Sequence, residues 1–77
     1  MRNLVLDIVQ RLTQLGEEVS VRERDLDDGQ TLLLIDVPDE DRGLVIGRQG
    51  RTIGALRTLV GAVAERNGTR VRVDLVE

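Results

Sequence analysis

Cysteine, histidine, lysine and all three aromatic residues are missing from this chain of 77 residues. Without cysteine there is no disulfide and no thiol chemistry. Without histidine the commonest zinc ligand and the commonest general base are gone as well, so no metal, cofactor or catalytic group is expected. Without Phe, Tyr or Trp the chain cannot stack bases on aromatic rings, as several nucleic-acid-binding barrels and sheets do. No apolar run approaches the roughly 18 residues of a membrane-spanning helix. Asp7 and Arg11 interrupt the apolar stretch near the start, which argues against a secretory leader. The expectation is a cytoplasmic protein.

The length fits one domain over residues 1–77, with a modest core, since a chain this short buries only about 60 % of its unfolded surface. The net charge is −3, which by itself disfavours a polyanionic partner. Its distribution points the other way. Residues 1–41 carry four arginines against eleven acids, whereas residues 42–64 carry Arg42, Arg48, Arg51 and Arg57 and no acid. Local sign decides where a polyanion docks.

Periodicity supplies the elements. Leu4, Val5, Ile8, Val9, Leu12 and Leu15 repeat at helical spacing, and Gly16 is the expected stop. Glu17 to Arg24 alternates as a strand with Val19 and Val21 on one side. Asp28-Gly29 marks a hairpin turn. Thr31 to Val37 is nearly all apolar and predicts a central strand buried on both faces. Asp39, Glu40 and Asp41 suit the start of a short helix ending near Ile46, because acids favour that end of the dipole. This explains the acidic run better than a metal site does. A second helix is predicted from Arg51 to Asn67, with Ile53, Leu56, Leu59, Val60 and Val63 on its apolar side and Asn67-Gly68 as its stop. Thr69 to Val76 alternates with Arg70 and Arg72 outward, as solvated residues or outer ligand contacts. The order is α-β-β-α-α-β. A hairpin followed by a right-handed helical crossover gives a three-stranded mixed sheet with three helices on one face, an α+β fold.

Between the two later helices lies Gly47-Arg48-Gln49-Gly50, preceded by Val45-Ile46 and followed by Arg51-Thr52-Ile53. The glycines permit a sharp turn and close approach of a ligand to the backbone. The helix that starts after Gly50 offers unpaired N–H groups to an anion. Arg48 stands at the tip. Arg51 occupies a first turn where the dipole alone would prefer an acid.

The run Val45-Ile46-Gly47-Arg48-Gln49-Gly50-Arg51-Thr52-Ile53 resembles the GxxG segment of KH domains, and the element order resembles a type II KH domain. More narrowly, Asp41 to Val60 (DRGLVIGRQGRTIGALRTLV), the amphipathic first helix and the last strand are similar to the KhpA family of small bacterial single-KH-domain proteins. The chain departs from that family in Arg48, where lysine is common, and in its acidic Asp25 to Asp28 turn. The resemblance implies single-stranded RNA as partner and a chaperone or regulatory role. It also implies association with a KhpB-like protein carrying Jag and KH domains, self-association, and links to cell shape and cell-wall biogenesis. Carried onto this chain, the RNA contacts fall on Gly47, Arg48, Gln49, Gly50, Arg51 and Arg42. Val45, Ile46 and Ile53, with Val37, form the aliphatic floor of a groove for about four nucleotides, or else plain core.

A second surface is predicted on the long helix, where Gly54 and Gly61 share one face with Arg57 and Thr58. Glycine costs about 1 kcal/mol against alanine inside an exposed helix, so two on one face suggest close approach of another helix in a homodimer, or of RNA. The alternative reading of the whole chain is a protein-interaction module with a KH fold and little intrinsic RNA binding.

Overall fold

The computed structural model describes all residues, 1–77. The elements are α1 (Arg2–Leu12), β1 (Ser20–Asp25), β2 (Thr31–Asp36), α2 (Asp39–Ile46), α3 (Arg51–Arg66) and β3 (Val71–Leu75), with single 3-10 turns at Gly16–Glu18 and Arg48–Gly50. The sheet order is β1-β2-β3. β1 runs antiparallel to β2, pairing Val21 with Ile35, and β3 runs parallel to β2, pairing Val73 with Leu33. The three helices lie over one face of this mixed sheet, as the order α-β-β-α-α-β requires.

The core forms where alternate strand residues meet one stripe of each helix. Val21, Leu33, Ile35 and Val73 project from the sheet onto Val5 and Val9 of α1, Val45 of α2, and Ile53, Leu56 and Val60 of α3. Burying one such aliphatic side chain is worth about 1.5–3 kcal/mol. Several apolar residues of the helical repeats are not in this core. Leu4, Leu12 and Leu15 are 39 %, 37 % and 39 % exposed, and Leu59, expected on the apolar side of α3, is 45 % exposed. The buried stripe of α1 is narrower than its apolar face.

β2 corrects a second expectation. Leu33 and Ile35 are buried, but Leu32 and Leu34 are only half-buried. All helices lie on one side, so no layer covers the other face of the central strand.

The first helix also ends early. It stops at Leu12, Thr13 is extended, and Gly16 opens a 3-10 turn instead of ending the helix. The strand after it accordingly begins at Ser20, not at Glu17. The cause lies in α2. Asp41, 1 % exposed, accepts the backbone N–H groups of Gln14 and Leu15 at 3.2 and 3.0 Å. In a longer helix those two groups would bond to Gln10 and Arg11. Asp41 draws them away and fastens the α1 exit to α2. The acids of α2 do not cap its start through side chains, since Pro38 is the N-cap and makes no such bond.

Arginines close the sheet's margins. Arg2 donates to the outward carbonyl of Val21 on β1 at 2.6 Å. Arg57 donates to the carbonyl of Val73 on β3 at 2.9 Å, and Arg42 donates to the carbonyl of Val76 just past the strand.

Candidate nucleic-acid interface

The turn between α2 and α3 is built by three residues of unusual backbone within four positions. Gly47 has φ 74° and ψ 173°, a region open essentially to glycine alone. A Cβ there would lie 2.8 Å from the Thr52 backbone nitrogen. Its N–H donates to Gly43 and its carbonyl accepts from Gly50 at 3.1 Å, which closes the turn. Gln49 is left-handed at φ 56° and ψ 28°, uncommon for any residue with a side chain. Gly50 is left-handed too, at φ 75°, but a Cβ on it would meet nothing within 4 Å. The first glycine is thus demanded by conformation and by crowding, the second by conformation alone.

This geometry throws Arg48 and Gln49 outward, both exposed, and starts α3 directly behind them. The N-cap of α3 is Gly50, no side chain caps it, and its first turn holds no acid. The Arg51 N–H closes the turn onto the Arg48 carbonyl, and the positive end of the α3 dipole faces the loop with no acid against it. The side chains of Arg48 and Arg51 make no hydrogen bond or ion pair within the chain. The arrangement offers backbone donors and two mobile guanidiniums to one anion. Such a site suits phosphate, to which arginine can bond through two parallel N–H groups.

The other predicted contacts divide. Val45 and Ile53 are 0 % and 6 % exposed and Val37 is 7 % exposed. They are core residues that anchor the loop from beneath and offer no surface for a groove floor. Ile46 is half-buried at the rim. Arg42 is engaged with Val76, so its charge is near the loop but its guanidinium is already occupied.

A trough follows α3 along the outer edge of β3. One stretch of about 510 Å³ is lined by Arg57 and by Val71 to Asp74, and an adjoining one of about 360 Å³ by Gly61, Glu65 and Arg70. Gln30 and Val71 line both. Gly54, Arg57, Thr58 and Gly61 share this side of the helix, and the space above both glycines is open. Thr58 returns its hydroxyl to the Gly54 carbonyl at 3.1 Å, and Arg57 bonds to β3. Of these, Arg57 and Gly61 line the trough. A different surface carries the exposed apolar groups. Ile8 and Leu12 of α1 and Ala55, Leu56 and Leu59 of α3 line a groove of about 380 Å³ that Arg51 and Thr52 close at the loop end. Helical periodicity expects Leu12 and Leu59 on the apolar side, but both stand outside the core, at 37 % and 45 % exposed.

Residues 2–75 match the family described as KhpA/KhpB, KH domain. The chain belongs to that family. Its GxxG loop, mixed sheet and element order are those of a type II KH domain, and the family is not one of enzymes. Among similar proteins is the RNA-binding protein KhpA of Listeria monocytogenes, 40 % identical over 77 residues and matched along the full length of both chains. The RNA-binding protein KhpA of Halalkalibacterium halodurans is 41 % identical over 78 residues, again along both full lengths. The RNA-binding protein KhpA of Streptomyces coelicolor is 46 % identical over 70 residues, which cover 91 % of this chain and 84 % of that protein. No helix in this KH domain is long and apolar enough to cross a membrane.

Proposed function

We propose that this chain is a non-catalytic single-stranded RNA-binding protein, an RNA chaperone or regulator of the cytoplasm. In this reading, Gly47 to Gly50 grip the RNA backbone. The observation that carries the proposal is the pair of unpartnered arginines, Arg48 and Arg51, at an uncapped helix start whose approach only glycine permits. A phosphate approaching Gly47 and Gly50 meets the leading N–H groups of α3, and the two guanidiniums supply the compensating charge. The KhpA relatives, named as RNA-binding proteins, support the same reading. No cofactor enters. With no aromatic platform, the grip falls on the backbone and sequence preference is slight.

One loop with a footprint of about four nucleotides binds weakly, and pairing with a second copy or a KhpB-like partner raises avidity. We place self-association on the apolar groove between α1 and α3, because exposed leucines there seek cover. The face of Gly54, Arg57, Thr58 and Gly61 borders the trough and is better kept for RNA. This groove also favours the second reading, an interaction module with little RNA affinity.

Titration of labelled single-stranded RNA at two salt concentrations separates the two. Phosphate contact requires affinity to fall as salt rises. Arg48→Asp with Gln49→Asp should abolish binding and leave the fold intact, since aspartate tolerates the left-handed backbone of residue 49. RNA affinity unchanged in that variant would sink the loop assignment and leave the interaction module. For pairing, sedimentation of the wild type at high micromolar concentration should exceed the 8.6 kDa of one chain, and Leu59→Arg should return it to that mass.

A further inference from the structure

The uncovered face of the sheet carries a charge opposite in sign to the chain as a whole. Side chains alternate along strands, so the residues between the buried ones project onto this face. They are Arg22 and Arg24 of β1, Leu32 and Leu34 of β2, and Arg72 of β3, with Arg70 two residues earlier on the same side. The register sets Arg24, Leu32 and Arg72 in one row and Arg22, Leu34 and Asp74 in the next. Two strand spacings separate the arginines of the first row, about 10 Å. Arg22 and Arg24 make no hydrogen bond or ion pair within the chain. Arg72 is held only by an exposed contact to Asp74 at 3.0 Å, and Arg70 by the Asp28 carbonyl at 3.1 Å.

Asp36 and Asp74 on the strands, and Asp28 beside Arg70 at the hairpin turn, oppose these four arginines, in a chain of net charge −3. Between the arginines, the half-buried Leu32 and Leu34 leave an aliphatic strip with nothing above it. The pairing of flat apolar surface with flanking guanidiniums matches a single strand of nucleic acid, whose bases need a surface to lie on and whose phosphates need cations. The face is also continuous with the trough, because Arg72 and Asp74 line both. A strand lying along α3 reaches the face by crossing the edge of β3.

We propose that the outer face of the sheet, centred on Arg22, Arg24, Leu32 and Arg72, is a second contact surface for single-stranded RNA. It extends the footprint beyond the loop. The inference rests on the loop reading above, and oligonucleotide length tells the two apart.

The test is binding of one oligonucleotide of about four nucleotides, matched to the loop, and one of about fifteen, near the upper range for extended single-strand sites. Arg22→Gln with Arg24→Gln should leave the short one unaffected. It should weaken the long one roughly tenfold at about 0.15 M salt and flatten its salt slope by about 1.4, the counterion contribution of two phosphate contacts. Arg11→Gln with Arg66→Gln, which changes net charge equally on other surfaces, should do neither. The proposal is overturned if the long oligonucleotide binds the sheet variant as it binds the wild type. It is also overturned if both lengths weaken equally, or if the variant loses an acidic protein partner while keeping RNA. Failure of the wild type to bind either length, or full binding by the loop double variant, would fell the loop reading itself.

Discussion

Four arginines occupy the acid-free stretch of the sequence, and the fold uses them in two ways. Arg42 and Arg57 spend their guanidiniums on the carbonyls of Val76 and Val73, tying α2 and α3 to the last strand. The guanidiniums of Arg48 and Arg51, six and nine residues after Arg42, bond to nothing in the chain. One pair is mortar and the other is bait. Charge patterning along a sequence finds both pairs and cannot separate them, because the separation depends on which carbonyls the sheet leaves facing outward.

The contrast is broken most severely at the turn that holds the second pair apart from the first. Gly47→Ala should cost about 3 kcal/mol or more in stability, from a backbone region closed to alanine and from crowding against Thr52. Gly50→Ala, left-handed but with open space above it, should cost about 1–2 kcal/mol. Urea unfolding of the two variants checks this, and equal losses would mean that the loop is looser than its geometry.

Next in size is a crossed pattern between the pairs. Arg48→Gln with Arg51→Gln should leave stability within about 0.5 kcal/mol of wild type and flatten the salt slope of RNA binding by about 1.4. Arg57→Met should lower stability by about 1 kcal/mol, a fall in Tm of roughly 4–8 °C, and change RNA binding less than the loop pair does. Thermal melts beside anisotropy titrations suffice, and loss of stability from the loop pair would erase the distinction.

The smallest effect concerns Arg70, which bonds to the Asp28 carbonyl at the hairpin turn. The Asp28 carboxyl is held below its ordinary value first by the Gln30 backbone N–H, and only last by the charge of Arg70. A depressed carboxylate adds stability above its unfolded value and loses it as pH falls through the folded one. The contribution is slight, because the group is fully exposed. Carboxyl carbon shifts should show Asp28 titrating low in the wild type and almost as low in Arg70→Gln. A full return to the ordinary value in that variant would make Arg70 a structural arginine.

Much of the fold could be read directly. Asp28-Gly29, the alternation around Val21 and Val73, and Asn67-Gly68 each announce local geometry that local physics dictates. The GxxG loop was legible for the same reason, its glycines being adjacent in sequence to the helix they open. What escaped depends on distance. Asp41 reads as a helix-start acid, and its grip on Gln14 and Leu15 joins residues 26 and 27 positions apart. The apolar run of β2 reads as doubly buried because hydropathy does not count layers. Leu59 reads as core because the buried arc of α3 depends on tertiary packing rather than on its own periodicity. The family, read from Asp41 to Val60, was legible throughout.

The arginine on each outer strand has a consequence for crowding. At high local concentration, neighbouring copies meet edge to edge. Exposed strand edges would then be templates for one another, the usual route from proximity to cross-β aggregation. Arg2 on Val21 and Arg57 on Val73 occupy an outward carbonyl on either side of the sheet and place a cation where a neighbouring strand would have to lie.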